Sequence, residues 1–332
     1  MPSSLAGKIK VLVGFVVSGL AVALLFRNVD WERLLDAFVG AEYRWFLLSL
    51  LALMVEFYIR ALRWRMLLAP VKYIPLSSLF QCMAVGYLVN SVLPGRLGEM
   101  VRGFLLARME MVPPVVVLAS VAVDRVLDVV VLAIALAAML PTTQLPDWVR
   151  SSGAVIGVGG LVLLMVSVLL AYPFGRGALL AFFKITPPFP GKSAVATWID
   201  ALCLGVQGLK GSRAQLRVLL VSMLIWLAST LMFYCSQLAF HVGARAESAL
   251  LVATITSMGA VVPSSPGYVG VFHYLVVLAL DAYGVQREVA LGFAVAVHLL
   301  LILPIGVVGA LSLWRLGMTL GSVNKIQRWD DS

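Results

Sequence analysis

Long apolar runs constrain this chain more than any other feature. Residues 11–26, 46–55, 115–140, 154–171, 218–240 and 289–313 hold few or no charged side chains. Most of these runs, with their flanks, supply the roughly 20 residues that cross a hydrocarbon core. The whole chain is 61% hydrophobic and 12% charged, whereas soluble domains carry about 25% charged residues. The short alternating segments of a membrane β-barrel are absent. The pattern predicts an all-α polytopic membrane protein. A retained first helix, rather than a cleaved leader, is expected at 11–26, because no small-residue cleavage site follows Phe26.

The net charge of +9 could suggest nucleic acid, but its distribution favours another explanation. With the N-terminus placed in the cytoplasm, the loops assigned inside carry Arg60, Arg63, Arg65 and Lys72, then Arg176 to Arg217, then Arg315 to Arg328. The loops assigned outside are near neutral or acidic. That is the positive-inside asymmetry of an inner-membrane protein with both termini cytoplasmic. No nucleic-acid partner is expected.

Two stretches, 76–112 and 249–284, each have an apolar arm, a Pro/Gly-broken centre and a second arm. Val92-Leu93-Pro94 through Gly98 matches Val261-Val262-Pro263 through Gly267 at a constant offset: 263 − 94 = 169 and 267 − 98 = 169. By the charge pattern the first opens from the cytoplasm and the second from outside. Matching interrupted segments of opposite sense point to an inverted repeat with a midplane site. Non-helical backbone at that depth requires protein or water around it. The expected fold is therefore about six full spans plus two re-entrant hairpins, in a single membrane unit over 1–318. A linker and an interfacial helix are expected at 173–215, and a cytoplasmic tail at 319–332.

The charges inside this apolar chain are the candidate site. Arg96, Glu99 and Arg102 sit at the tip and first turn of the second arm of stretch 76–112, with Asn90 just before the break. Asp124, Arg125 and Asp128 interrupt the run 115–140. Asp124 and Asp128 share a helical face and need a cation between them, for which Arg102, Arg96 and Arg125 are the candidates. Ionisable groups at membrane depth face polar cavities and carry function, and the guanidinium fork suits phosphate. A buried ion network that only fixes packing is the alternative. Arg60 and Arg63 are expected at the interface, touching headgroups. The uncharged second stretch offers Ser264, Ser265, Tyr268 and His273 for hydrogen bonding. The scattered cysteines and histidines predict neither metal site nor cofactor. No G-x-S-x-G or H-E-x-x-H motif points to a catalytic residue.

Four motifs, taken together, resemble the lysylphosphatidylglycerol synthase transmembrane, or flippase-like, family. They are Arg60-x-x-Arg63-Trp64, the run from Asn90 to Arg102, Asp124-Arg125-x-x-Asp128, and Pro266 to His273. The resemblance implies a stand-alone lipid-translocation module without the soluble synthase domain. It assigns substrate contact to Asn90, Arg96, Arg102, Arg125, Ser264, Ser265 and Tyr268. Charge or proton coupling falls to Glu99, Asp124, Asp128 and His273. Two positions depart from the family pattern: Tyr268 replaces a usual glycine, and His273 replaces a usual glutamate. The expected partners are membrane lipids with anionic headgroups and a lipid-modifying enzyme. An intramembrane enzyme acting on a lipid phosphate, with Ser264 or Ser265 and His273 as nucleophile and base, is the competing reading. A non-catalytic accessory subunit is the third.

Overall fold

The structure is a computed structural model that describes residues 5–27, 29–93, 97–139, 147–185, 192–259 and 264–319. Its described residues form helices and connecting turns with no strand. The helices are α1 (Leu5–Phe26), α2 (Trp31–Val39), α3 (Arg44–Leu68), α4 (Leu76–Val92), α5 (Gly98–Glu110), α6 (Pro114–Met139) and α7 (Asp147–Leu170). They continue with α8 (Pro173–Ile185), α9 (Lys192–Gly205), α10 (Ser212–Ala239), α11 (Glu247–Gly259), α12 (Val271–Asp281) and α13 (Arg287–Arg315).

Each expected span coincides with a helix: α1, α3, α6, α7, α10 and α13. Four stretches are long and apolar enough to cross a membrane: Arg44–Leu68, Gly153–Leu170, Ser212–Ala239 and Arg287–Arg315. Helix α6 has the length, at 26 residues, but carries three charges at its centre. Helices α1 and α2 meet at 91°. The loop expected after the first span is thus partly helical. Asp30 caps α2 by accepting from the Glu32 and Arg33 amides at 3.0 and 3.2 Å, a side-chain cap for otherwise orphaned donors.

Outward-facing residues explain why these helices need lipid. On α10, Leu216, Leu220, Leu224, Leu227 and Leu231 are all exposed at helical spacing, and Leu299, Leu303, Val307 and Leu311 repeat this on α13. A monomeric soluble protein rarely exposes such continuous apolar stripes. The inward faces share one core of residues from α3 to α6 and α10 to α13.

Both interrupted stretches fold as short paired helices. Helices α4 and α5 hold 17 and 13 residues, rising about 25 and 20 Å, too little to traverse a core of about 30 Å. Their register is antiparallel: Gly98 packs on Gly86 and Asn90, and Cys82 meets Met109. A Cβ on Gly98 would strike the Gly86 carbonyl, so glycine is what allows this approach. Helices α11 and α12, of 13 and 11 residues, pack on each other in the second stretch. A single 3₁₀ turn at Pro266–Tyr268 lies between them.

Helix α3 packs along α10, and α4 along α13. In the segment 173–215, expected as a linker and an interfacial helix, α8 occupies 173–185 and α9 follows. Helix α9 docks on α6, with Ile199 and Cys203 buried and Trp198 outward. Its Pro-rich centre, 186–191, lies outside the described residues.

Candidate functional site

The interior charges converge from two helices, α3 and α6, and the first hairpin. Arg63 on α3 is wholly buried. Its Nε donates to Asp124 Oδ1 at 2.8 Å, and its Nη2 donates to Asp128 Oδ1 at 2.8 Å. Nη1 donates to Ser222 Oγ on α10 at 3.0 Å, and Nη2 also reaches the Asp124 carbonyl at 3.2 Å. Three turns' worth of apolar sequence thus closes around one planar fork, whose five donors suit bidentate carboxylate pairing.

One turn earlier on α3, Arg60 donates to Glu56 Oε1 at 2.9 Å and to Asp128 Oδ2 at 3.1 Å. Its guanidinium lies over the Trp226 ring, 5.6 Å from the centroid. From α5, Arg102 Nη2 donates to Asp124 Oδ2 at 3.0 Å, and the guanidinium sits 5.0 Å above Trp64. Trp64 is anchored by donating to Ser120 Oγ at 2.9 Å. Arg125 closes the cluster, 3.4 Å from Glu99 Oε1 and 3.4 Å from Asp128 Oδ2.

Four guanidiniums (Arg60, Arg63, Arg102, Arg125) therefore face four carboxylates (Glu56, Glu99, Asp124, Asp128). Among the described residues of this network the formal charges cancel. Removing one partner from such a buried arrangement leaves an uncompensated charge and costs about 3–5 kcal/mol.

The network is graded by access. Arg63, Arg102 and Asp124 are at most 3% exposed at their side chains, whereas Arg125 is 41% and Glu99 24% exposed. Both ion pairs of Arg125, to Glu99 and to Asp128, are long, at 3.4 Å. Glu99 is held at the hairpin tip by Asn90, whose Nδ2 donates to Glu99 Oε2 at 3.2 Å. Asn90 Oδ1 accepts the Gly98 amide at 2.8 Å, so one side chain ties both arms together. Among the described residues, Arg102 Nε and Arg125 Nε have no hydrogen-bond acceptor.

At the second break hydrogen bonds replace charges. His298 Nε2 donates to the Gly267 carbonyl at 2.7 Å, and Phe272 stacks on the His298 ring. His273 Nδ1 accepts the Gly270 amide at 3.3 Å, and the two imidazoles lie 4.7 Å apart. Gly267 and Gly270 have φ of 68° and 86°, the region glycine occupies without steric cost. Tyr268, between them, adopts φ 60°. Ser18 of α1 accepts the Ser265 amide at 2.8 Å, while Ser265 Oγ donates to the Val269 carbonyl at 3.2 Å. A Cβ on Gly267 would lie 3.2 Å from the Ser91 carbonyl. The second break thus rests on the end of α4, beside the first.

Arg60 and Arg63, expected to touch headgroups, have buried side chains and pair with the aspartates on α6. Arg63 bridges Asp124 and Asp128 and Arg60 reaches Asp128, while of the cations expected there Arg102 pairs with Asp124 and Arg125 with Asp128. Arg102 is likewise committed to Asp124 and Trp64 and lines no open surface as placed here. Arg96, Pro94 and Pro263 lie outside the described residues. Sequence reasoning missed Glu56, Ser222 and Ser18. Glu56 had a signal: an acid four residues before Arg60 within an apolar span. The serines had none.

Comparison with known proteins gives two matches. The family described as "Lysylphosphatidylglycerol synthase TM region" matches residues 11–309. The chain is also 24% identical over 325 residues to "Glycosyltransferase AglD" of Haloferax volcanii, covering 88% of this chain and 52% of that protein. It therefore spans about half the length of this curated relative. With nearly the whole helical unit inside the matched region, this chain is a member of the lysylphosphatidylglycerol synthase transmembrane-region family.

Proposed function

We propose that the protein moves lipids with phosphate-bearing headgroups between the leaflets of the inner membrane. The carrying observation is Arg125. It is partly exposed, loosely held by Glu99, and continuous with a buried network beside the contact between the two breaks. A headgroup phosphate would take the place of Glu99 at Arg125 while the acid keeps its hydrogen bond from Asn90, so that the occupied cavity carries the charge of the cargo. Arg60, Arg63 and Arg102 would position Asp124 and Asp128 behind it. Ser264, Ser265 and Tyr268 would offer polar contacts on the opposite hairpin. The tail would stay in lipid.

Six spans, two re-entrant hairpins and cytoplasmic termini belong to this reading. It is supported by the repeated order of long, short, short and long helix in α3–α6 and α10–α13. The same neighbours pack in each set: α3 on α4 and α10 on α11, α5 on α6 and α12 on α13. Rocking one set against the other would alternate access. The cargo is an anionic phospholipid or a polyprenyl-phosphate-linked lipid, which share the phosphate that Arg125 would hold.

The test is reconstitution into liposomes with headgroup-labelled phosphatidylglycerol and chemical quenching of the outer leaflet. Arg125→Gln should slow translocation at least tenfold, about 1.4 kcal/mol, while the variant still folds. Glu99→Gln should bind labelled lipid more tightly and release it more slowly. Wild-type rates in a folded Arg125→Gln protein would overturn the proposal. The likeness to half of a glycosyltransferase favours a second reading, a membrane subunit for a lipid-modifying enzyme. Co-purification of such an enzyme, with no lipid movement by the isolated chain, would support it.

A further inference from the structure

A cavity of about 490 Å³ opens where α3, α4 and α13 meet, within the size range of small-molecule sites. Tyr58 and Ala61 of α3 form one wall, Val308, Leu311 and Arg315 of α13 the other, and Phe80 of α4 lies between. The lining is predominantly apolar along its length, with Arg315 at one end. On α3 the residues facing it, 58 and 61, lie on the helix face opposite to Glu56, Arg60 and Arg63, so the groove is separate from the ionic network. A helix with 3.6 residues per turn separates the two sets by roughly half a turn.

The charged end has a surplus of cations. Arg315 is exposed and, among the described residues, makes no ion pair. Arg65, one turn beyond Ala61 on the same face of α3, lies over the Tyr73 ring and has no carboxylate partner among the described residues. Nearby Lys72 is engaged by Glu110. An apolar trough whose lining includes one guanidinium, Arg315, without an ion pair among the described residues matches an amphiphile with one chain along the trough and an anionic head at its end.

We infer that this groove binds an anionic phospholipid, its acyl chain lying between α3 and α13 on α4 and its phosphate on Arg315. The bound lipid bridges α13 to the first hairpin from outside, without entering the translocation route.

The experiment uses the full chain in phosphatidylcholine–phosphatidylglycerol vesicles, with photoactivatable diazirine tails on either lipid and peptide mapping by mass spectrometry. Phosphatidylglycerol should label 76–81 and 308–315 about fivefold more than phosphatidylcholine, the preference one arginine near the surface supplies. Arg315→Gln should erase that preference, and Leu311→Trp, which fills the trough, should abolish labelling by both probes. Arg125→Gln should leave labelling intact, so a failure of the transport reading is distinguishable. Equal labelling by the two lipids would overturn the inference, as would indifference to Arg315→Gln. Cross-links from 320–332 into the groove in place of lipid would overturn it too.

Discussion

The two interrupted stretches face one problem, backbone polar groups freed at a break, and meet it by different means. The first break is stapled by Asn90 and adjoins an ionic network reaching α3, α5, α6 and, through Ser222, α10. The second is held by His298, His273 and Ser18 on glycines with left-handed backbone, with no formal charge at neutral histidine. Charge gives the first stretch strong, long-reaching attachments that fail badly when one member is lost. Neutral hydrogen bonds give the second a set of small, separable ones. In the proposed function, phosphate is held beside the first break and the second serves as its counter-surface.

The largest break in this comparison should come from Asp124→Ala. It strands Arg102 and takes from Arg63 one of its two carboxylates, and the expected loss is about 3–5 kcal/mol, read as the unfolding midpoint in mild detergent by tryptophan fluorescence. No single substitution in the second stretch should approach that value. Next come the glycines. Gly98→Ala forces the α4–α5 hairpin apart against backbone, about 1–3 kcal/mol. Gly267→Ala places a side chain in left-handed backbone against the Ser91 carbonyl, about 1–2 kcal/mol. A larger effect at Gly267 than at Gly98 would reverse the ranking of the two hairpins.

Smaller again is His298→Leu, which removes the donor to the Gly267 carbonyl and should cost about 1 kcal/mol. Hydrogen exchange confined to 264–270 would mark its reach, and spread into α4 would show that the two breaks open together. The smallest effect belongs to an exposed pair far from both breaks, Arg176 and Asp200, with Nε and Oδ1 at 2.7 Å. The hydrogen bond from Arg176 holds the Asp200 carboxyl below its ordinary value. Its contribution is therefore present at neutral pH and lost as pH falls through the lowered value. Amide exchange in α8 and α9 should rise in acid by an amount small beside the Asp124 effect.

Much of the architecture was legible because apolar length is a coarse signal. The six runs became helices, and the two Pro/Gly centres became breaks, since neither residue type sustains a buried helix at those positions. Short helix α2 escaped because its signal, the Asp30 cap, is local and its length is nine residues. Helix α8 escaped because the prolines beyond it marked the first part of the segment as a linker ahead of the expected helix. At the site, residue types were readable but partners were not. Arg60 and Arg63 stand near the end of α3, where a sequence suggests an interface. Only the packing of α6 beside α3 shows that Asp124 and Asp128 draw them inside, 61 to 68 residues away in sequence. Ser222, 159 residues from Arg63, carries no mark that a single sequence could reveal.

The cancellation of charge among the eight interior groups bears on how the membrane potential acts. A moving element with net charge z feels about 2.3 kcal/mol per elementary charge per 100 mV, whereas a neutral cluster travelling as one body feels almost none. Any dependence of lipid movement on voltage would then belong to the cargo's own headgroup, and a zwitterionic cargo would cross at a rate indifferent to the field.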